Sequence, residues 1–296
     1  DFEQVEMEKT FEVHSDEILD PSEGFDDGLE TPENKDWDKH PVWKLRPGLL
    51  DKAYRLHDVA PSSYISFPGS EMPINTSNIV PSEYSNLRVL PGEIGKKIAQ
   101  EIHKWHERGW VEPVQLSHDR IIYIPLLAVV KKNGDLGICL DFRRFNKCVR
   151  PLECAIPKIS DFQETCSGMN YFTEIDLSDA FMQLRLREDN YYKLGIRTVD
   201  GYYTLNRAPF GLHTVPAHFQ ATIERMIAPI HGAKSYFDNV VAASKTLDEQ
   251  AEILEKIIDT FLQYGVRVNM AKLQLCKSEM KMLGMIVSGK GIKADP

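Results

Sequence analysis

Apolar residues beyond about position 90 recur with two different periods, and the period selects the element. "PGEIGKKIAQEIHKWHERGW" places Ile94, Ile98, Ile102 and Trp105 at i, i+4, i+8 and i+11. That single stripe predicts a helix, and Gly109 sits where a left-handed C-cap wants a residue without a Cβ. "IIYIPLLAVVKKNGDLGICLDF" has no such stripe and carries Asn-Gly at its centre, which predicts two strands joined by a tight turn. "YFTEIDLSDAFMQLRL" (171–186) starts as an alternating strand and passes into turn or helix at "SDAF". "YKLGIRTVDGYYTLNRAPFGL" reads as a second hairpin, turning at Asp200-Gly201. "VPAHFQATIERMIAPI" predicts a short helix with Pro216 in its first turn, where a missing N–H costs nothing. A strand around "SYFDNVVAAS" leads to a helix that opens on a capping box, Thr246 and Glu249, and stops at Gly265. "KMLGMIVSGKGIKADP" reads as a last hairpin, turning near 289–291. Hairpins stand where parallel units would need crossovers, so the fold class is α+β: an antiparallel sheet backed by helices.

Residues 1–85 follow neither period. Turn clusters ("DPSEG", "TPEN", "APSS", "VPSEYS") interrupt them, which predicts a weakly structured extension without its own core. Trp37, Trp43 and "WKLRPGLLDKAYRL" offer apolar surface to dock onto the body. Charge sharpens the division. The chain carries −9 overall, yet residues 1–40 hold 15 Asp/Glu against 3 Lys, a net −12, leaving +3 on the other 256 residues. Such acidic heads are solvated linkers or protein-interaction segments. The body is too mildly basic to announce nucleic-acid binding by charge alone.

Composition excludes several classes. With 42% apolar and 27% charged residues the chain is ordinary for a globular protein. Its five cysteines form no C-x-x-C pair, which argues for a reduced, intracellular protein without a zinc site. His103 and His106 lack Cys or carboxylate partners in sequence and read as a surface pair. The longest apolar run, 121–130, is half a membrane span and contains Pro125, so no membrane role is expected. The start has no leader pattern and no initiator Met, as in a processed product or excised fragment.

The chemistry concentrates on two aspartates at strand ends: Asp176 in "EIDLSDAF" and Asp238 in "YFDNVV", 62 positions apart. Carboxylates on adjacent strands can jointly hold two Mg²⁺ ions about 3.5–4 Å apart for in-line phosphoryl transfer. Mg²⁺ is hard and prefers anionic oxygen, which is why such a site needs Asp. Turn-forming Asp is common, so the pair alone is weak evidence. Lys131, Lys132, Arg143, Arg144, Lys147 and Arg150 gather around the first hairpin, as a solvated face or as phosphate contacts.

Together these segments resemble the reverse transcriptase of gypsy-type LTR retrotransposons, and more distantly the retroviral enzymes. "IHKWHERGWVEPV", "AVVKKNGDLGICLDFRRFNK", "FTEIDLSDAFMQLRL", "APFGLHTVPAHFQ", "SYFDNVVAASKTLDEQ" and "RVNMAKLQLCKSEMKMLGMIVSGKGIKADP" occur in the family's order, over some two-thirds of the chain. The resemblance implies the fingers and palm of a right-hand polymerase, with a fingers-like region at 86–170 and a palm-like region at 171–296. Fingers segments would interleave around 185–215. It implies that Asp176 and Asp238 bind Mg²⁺ with the Leu177 carbonyl, and that Phe181 is the aromatic gate against a 2′-hydroxyl. Pro209, Phe210 and Gly211 match the turn lining the incoming nucleotide, and Lys131 and Lys132 match the fingers lysines. Met282, Leu283, Gly284 and Met285 resemble the primer grip. A primer–template is the implied partner, and a protein partner is a further possibility through residues 1–40.

Two positions depart from the family. Tyr236-Phe237-Asp238-Asn239 stands where a Y-x-D-D box is expected, so an amide replaces one carboxylate. The family's hairpin carries Trp-Arg where this chain has Leu136 and Gly137, and glycine cannot make the triphosphate contact of a guanidinium. Each loss predicts impaired synthesis, since removing one preorganised charge-stabilising donor costs roughly 10²–10³ in rate. Three readings follow: an active or residually active polymerase module, an inactive domesticated scaffold, and a pseudo-polymerase that still holds primer–template.

Overall fold

The computed structural model describes residues 36–76, 89, 92–114, 121–130, 136–152, 159–282, 285–289 and 291–294. Two short 3-10 turns, Trp37–Lys39 and Pro41–Leu45, lead into helix α1 (Leu49–His57). Helix α2 (Gly92–Glu107) follows, then strands β1 (Val111–Pro113), β2 (Leu126–Val130) and β3 (Leu136–Leu140). Next come the short helix α3 (Arg143–Asn146), helix α4 (Ile159–Cys166) and strands β4 (Tyr171–Asp176), β5 (Gly195–Arg197) and β6 (Tyr202–Leu205). Helix α5 (Val215–Ile227), strands β7 (Ala233–Tyr236) and β8 (Asn239–Ser244), and helix α6 (Leu247–Tyr264) complete the central unit. Strands β9 (Gln274–Lys277), β10 (Glu279–Met282), β11 (Met285–Ser288) and β12 (Gly291–Ala294) close the chain.

The main sheet is antiparallel, in the order β7-β8-β4-β9. Its side chains divide by the two-residue period of a strand. Ile175 on β4 and Val240 and Ala242 on β8 join the large core beneath α5 and α6. Phe172, Val241 and Ala243 face the other way, where Phe162 and Cys166 of α4 and Met280 and Val287 of the last hairpins cover them. Gln250 of α6 is fully buried yet satisfied: its amide donates to Thr173 Oγ1 at 2.8 Å and Ala242 O at 3.2 Å, and Ser244 Oγ donates back at 2.6 Å. The capping box of α6 forms as its sequence dictates, and Gly265 ends the helix at φ +71.

The β2–β3 hairpin forms, but with Val130 opposite Leu136, one position off the register that a two-residue Asn133-Gly134 turn would set; residues 131–135 lie outside the described residues. β5 and β6 turn at Val199-Asp200, one position before the expected Asp200-Gly201, with Thr198 N–H donating to the Gly201 carbonyl at 2.9 Å, and β6 takes β1 on its other side. Two further expectations change. Ile94 is half exposed, because the buried face of α2 runs through Gly95, Ile98, Ala99, Ile102 and Trp105 and leaves Ile94 in the first turn outside it. The predicted last hairpin is a three-stranded meander, with Met282 opposite Met285 across an additional turn.

The described part of the extension, residues 36–76, lies on the body. Trp43 is 3% exposed, and its indole N–H donates to Trp37 O at 2.7 Å. Both tryptophans belong to the large core. Arg46 and Lys52 pair with Glu252, Glu255 and Asp259 of α6 at 2.8–3.7 Å. Further on, Ile65 N–H donates to Gln183 O and Met72 N–H to Arg185 O, so the segment runs along the turn after β4. His103 and His106 take separate partners, Asp200 at 2.9 Å and the Val111 carbonyl at 3.1 Å.

Candidate active site

Asp176 ends β4 directly opposite Asn239, the first residue of β8. Asp238 and Phe237 form the two-residue turn before it, and Leu177 N–H donates to the Asp238 carbonyl at 2.8 Å. One corner of the main sheet therefore carries Asp176, Asp238 and Asn239 together. The turn is strained, with Phe237 at φ +49, a region that non-glycine residues occupy at a cost. A side chain on α5 supports it. Gln220, 1% exposed, accepts from Phe237 N–H and donates to Ser235 O at 3.0 Å and Ser235 Oγ at 3.1 Å. Sequence reading missed Gln220. The available signal was a polar residue on the buried face of "AHFQATIERM", three positions before Ile223.

The corner is electronegative. Glu174 lies two positions before Asp176 and so on the same face of β4. Burial, and then the charges of Asp176 and Asp238, push its carboxyl up to about 7. Lys272 brings opposite charge, its Nζ 3.8 Å from Asp176 Oδ2. Two carboxylates and the Leu177 carbonyl are donors of the right chemistry for one hard divalent ion. The residue directly opposite Asp176, Asn239, contributes a neutral amide and no third carboxylate. Among the described residues no cluster of three or more His, Cys, Asp or Glu is arranged to hold a metal.

Beyond Asp176 the chain turns through Ala180–Gln183, and Phe181 packs on Phe210 and Phe219 with ring centroids 5.1 and 5.6 Å apart. Gly211 follows Phe210 at φ +88, and a Cβ there would sit 3.3 Å from both Leu140 O and the Phe142 ring. Asn146 of α3 clasps the same turn: its amide donates to Gly211 O at 2.9 Å and its oxygen accepts from His213 N–H at 3.2 Å. The Pro209-Phe210-Gly211 turn is thus held against the end of β3. Asn146 is the other residue that sequence reading missed. Gly137 is buried in β3 opposite Val129. Arg143 forms a two-pronged pair with Asp141, at 2.9 and 2.7 Å, which holds that carboxyl below its ordinary range. Lys131, Lys132, Leu283 and Gly284 lie outside the described residues, while Met282 and Met285 face each other across β10 and β11.

A sheet corner with two aspartates, flanked by an aromatic cluster and a hairpin unit, defines a nucleic-acid polymerase fold of the right-hand type. Residues 130–287, just over half of the chain, match the family described as reverse transcriptase (RNA-dependent DNA polymerase). The chain is 27% identical over 231 residues to the retrovirus-related Pol polyprotein from transposon opus of Drosophila melanogaster, covering 77% of this chain and 23% of that protein. It is 28% identical over 169 residues to the transposon Tf2-7 polyprotein of Schizosaccharomyces pombe, covering 56% and 13%. Among solved structures, the foamy viral protease-reverse transcriptase in complex with RNA/DNA hybrid superposes with a TM-score of 0.70 at 20% identity, covering 88% of this chain and 36% of that one. The same protein in complex with double-stranded DNA, in a form titled dRH, gives 0.69 at 20%, covering 88% and 46%. The chain therefore belongs to the reverse transcriptase family and carries its fingers–palm module. It spans less than a quarter of the length of the retroelement polyproteins it matches.

Proposed function

We propose that this module is a retroelement reverse transcriptase core that engages primer–template and whose DNA synthesis is impaired at two independent points. The observation that carries the reading is the in-register opposition of Asp176 and Asn239 beside Asp238. Asp176, Asp238 and the Leu177 carbonyl would hold Mg²⁺, which when bound supplies charge neutralisation and Lewis acidity to phosphoryl transfer. With Asn239 in place, the anionic donors number two and the attraction for a divalent ion falls. Phe181 bounds the sugar site sterically, and the turn at Pro209-Phe210-Gly211 shapes the nucleotide pocket. Gly137 offers no guanidinium to a triphosphate, so Lys131 and Lys132 are left as the charges that the fingers hairpin contributes.

Nucleic-acid binding is supported by likeness to proteins whose structures contain RNA/DNA hybrid and double-stranded DNA. Residues 1–40, at −12, repel phosphate and suit a protein partner. An intracellular setting accords with the thiols of Cys139, Cys166 and Cys276, which form no disulfide. The test is primer extension by this chain on a homopolymer template with Mg²⁺ or Mn²⁺, run beside a binding titration at two salt concentrations. Salt-dependent binding with slow extension is expected. Robust extension would remove the impairment, and absence of binding would remove the primer–template role.

A further inference from the structure

A cleft of about 310 Å³ opens between the extension and the main sheet's turns. Leu56, His57, Val59 and Pro61 form one wall; Ser178, Arg267 and the stretch Val268–Ala271 form the other. Arg267 is anomalous within it. Its side chain is 8% exposed, and Nη1 pairs with Asp179 at 3.2 Å, while Nε and Nη2 are buried with no hydrogen-bond partner. Those two nitrogens form one edge of the guanidinium, with parallel N–H bonds that match two oxygens of a carboxylate or phosphate. Leaving two N–H donors of a cation buried and unmatched is costly, since charged groups lose more than the neutral penalty of about 1–3 kcal/mol each. The backbone around Arg267 is fully engaged, donating to Gln183 Oε1 at 2.7 Å and accepting from Gln183 Nε2 at 2.9 Å and Ser178 N–H at 3.2 Å. The freedom of Arg267 therefore lies in its side-chain torsions and not in the backbone. Arg108, in the turn just after α2, adds positive potential nearby, and burial lowers the affinity of Arg267 for its proton.

We propose that this cleft is an oxyanion site for the phosphoryl group of a small molecule, gripped by the Nε–Nη2 edge of Arg267 with the Ser178 hydroxyl as a further donor. A phosphoryl group is favoured over a carboxylate because it offers a third oxygen to Ser178 after two are taken by the fork. The cleft holds the volume of roughly ten waters at about 30 Å³ each, ample for phosphate or pyrophosphate. Reaching the cleft takes a rotation of the guanidinium that exchanges the single bond to Asp179 for two bonds to the anion. Asp179 is thus the competitor for the site. It is exposed, and at φ +45 it occupies the left-handed region that Asp tolerates better than most residues. The inference does not rest on the polymerase reading, and its readout is independent of extension.

The experiment is calorimetric titration of the full chain with inorganic phosphate, pyrophosphate, ATP and acetate, for the parent and for Arg267→Lys, Asp179→Asn and Ser178→Ala. Saturable phosphate or pyrophosphate binding is expected, with acetate at least several-fold weaker. Arg267→Lys loses the two-pronged contact and should weaken binding roughly tenfold or more. Asp179→Asn removes the competing anion and should tighten binding several-fold; at an exposed position it tests the idea even if Arg267→Lys does not fold. ATP binding as tightly as pyrophosphate assigns the site to nucleotides, and pyrophosphate alone assigns it to the free anion. No phosphate binding in the parent, equal acetate binding, or no gain in Asp179→Asn would each overturn the proposal and leave a water-filled cleft.

Discussion

Replacing Gln220 by Met tests whether the aspartate turn is held by helix α5 or stands unaided. Met fills nearly the same volume, so the change isolates hydrogen bonding from packing. It orphans Phe237 N–H and withdraws the amide donor from Ser235 O and Ser235 Oγ, in a site where Gln220 is 1% exposed. A buried group left without its partner loses about 1–3 kcal/mol. Phe237 N–H bears that in full, while Ser235 Oγ can rotate to another acceptor. With Phe237 N–H and Ser235 O both orphaned, the expected total is about 3 kcal/mol, in the lower half of the roughly 2–6 kcal/mol that two such groups span. At roughly 2–4 °C per kcal/mol for a chain somewhat shorter than this one, the melting temperature should fall by about 6–12 °C. Urea denaturation followed by circular dichroism gives the free energy, and amide exchange at Phe237 and Asp238 gives the local consequence. Ser235→Ala serves as the control and should cost about 1 kcal/mol, because Gln220 keeps its bonds to Phe237 N–H and Ser235 O. If Gln220→Met loses no more than Ser235→Ala, and exchange at Phe237 is unchanged, the turn does not depend on the clasp.

Three other changes probe the surrounding account. Glu174→Gln should flatten the pH dependence of stability: with its folded carboxyl raised to about 7, the native state holds a proton that the unfolded chain releases near 4.5, so stability falls as pH rises between those values, by roughly 3 kcal/mol; superimposable profiles for parent and variant would refute the raised carboxyl. Trp43→Ala should cost about 3–5 kcal/mol and expose residues 36–76 to limited proteolysis, since it removes a core indole and its bond to Trp37 O; unchanged cleavage would mean the extension docks by other means. Gly211→Ala should cost about 1–3 kcal/mol, because φ +88 disfavours any Cβ and Leu140 O stands 3.3 Å from where it would lie; a neutral result by thermal denaturation would show that the turn relaxes freely.

Much of this arrangement was legible before any coordinates, and the reason is local. The capping box at Thr246, the stop at Gly265 and the existence of a hairpin turn at Asp200, though one position earlier than expected, are short-range features set by residues within a few positions of each other. Asp176 and Asp238 were legible as chemistry because family motifs frame both, although 62 residues separate them. What escaped was long-range. Gln220 looks like an ordinary helix residue until β7 and β8 place a turn beside it, and Asn146 acquires its role only when Gly211 arrives 65 positions later. Ile94 misled because a stripe gives the apolar residues of a helix and not where the neighbouring elements end. The docking of 36–76 brings together ion pairs more than 200 positions apart, Arg46 with Glu252 and Lys52 with Asp259. Such pairs, exposed and screened, add little each, so the buried tryptophans carry the attachment.

Asn239 in the sheet corner and Gly137 in the fingers hairpin are proposed to stand where charged groups would support synthesis. Primer extension in Mg²⁺ by the parent, by Asn239→Asp, by Gly137→Arg and by the double variant measures that claim directly. The account predicts slow or absent extension by the parent and a gain of at least about 10² in the double variant, exceeding either single change. Parent extension equal to that of the double variant, or a double variant as inert as the parent despite binding primer–template, would contradict it.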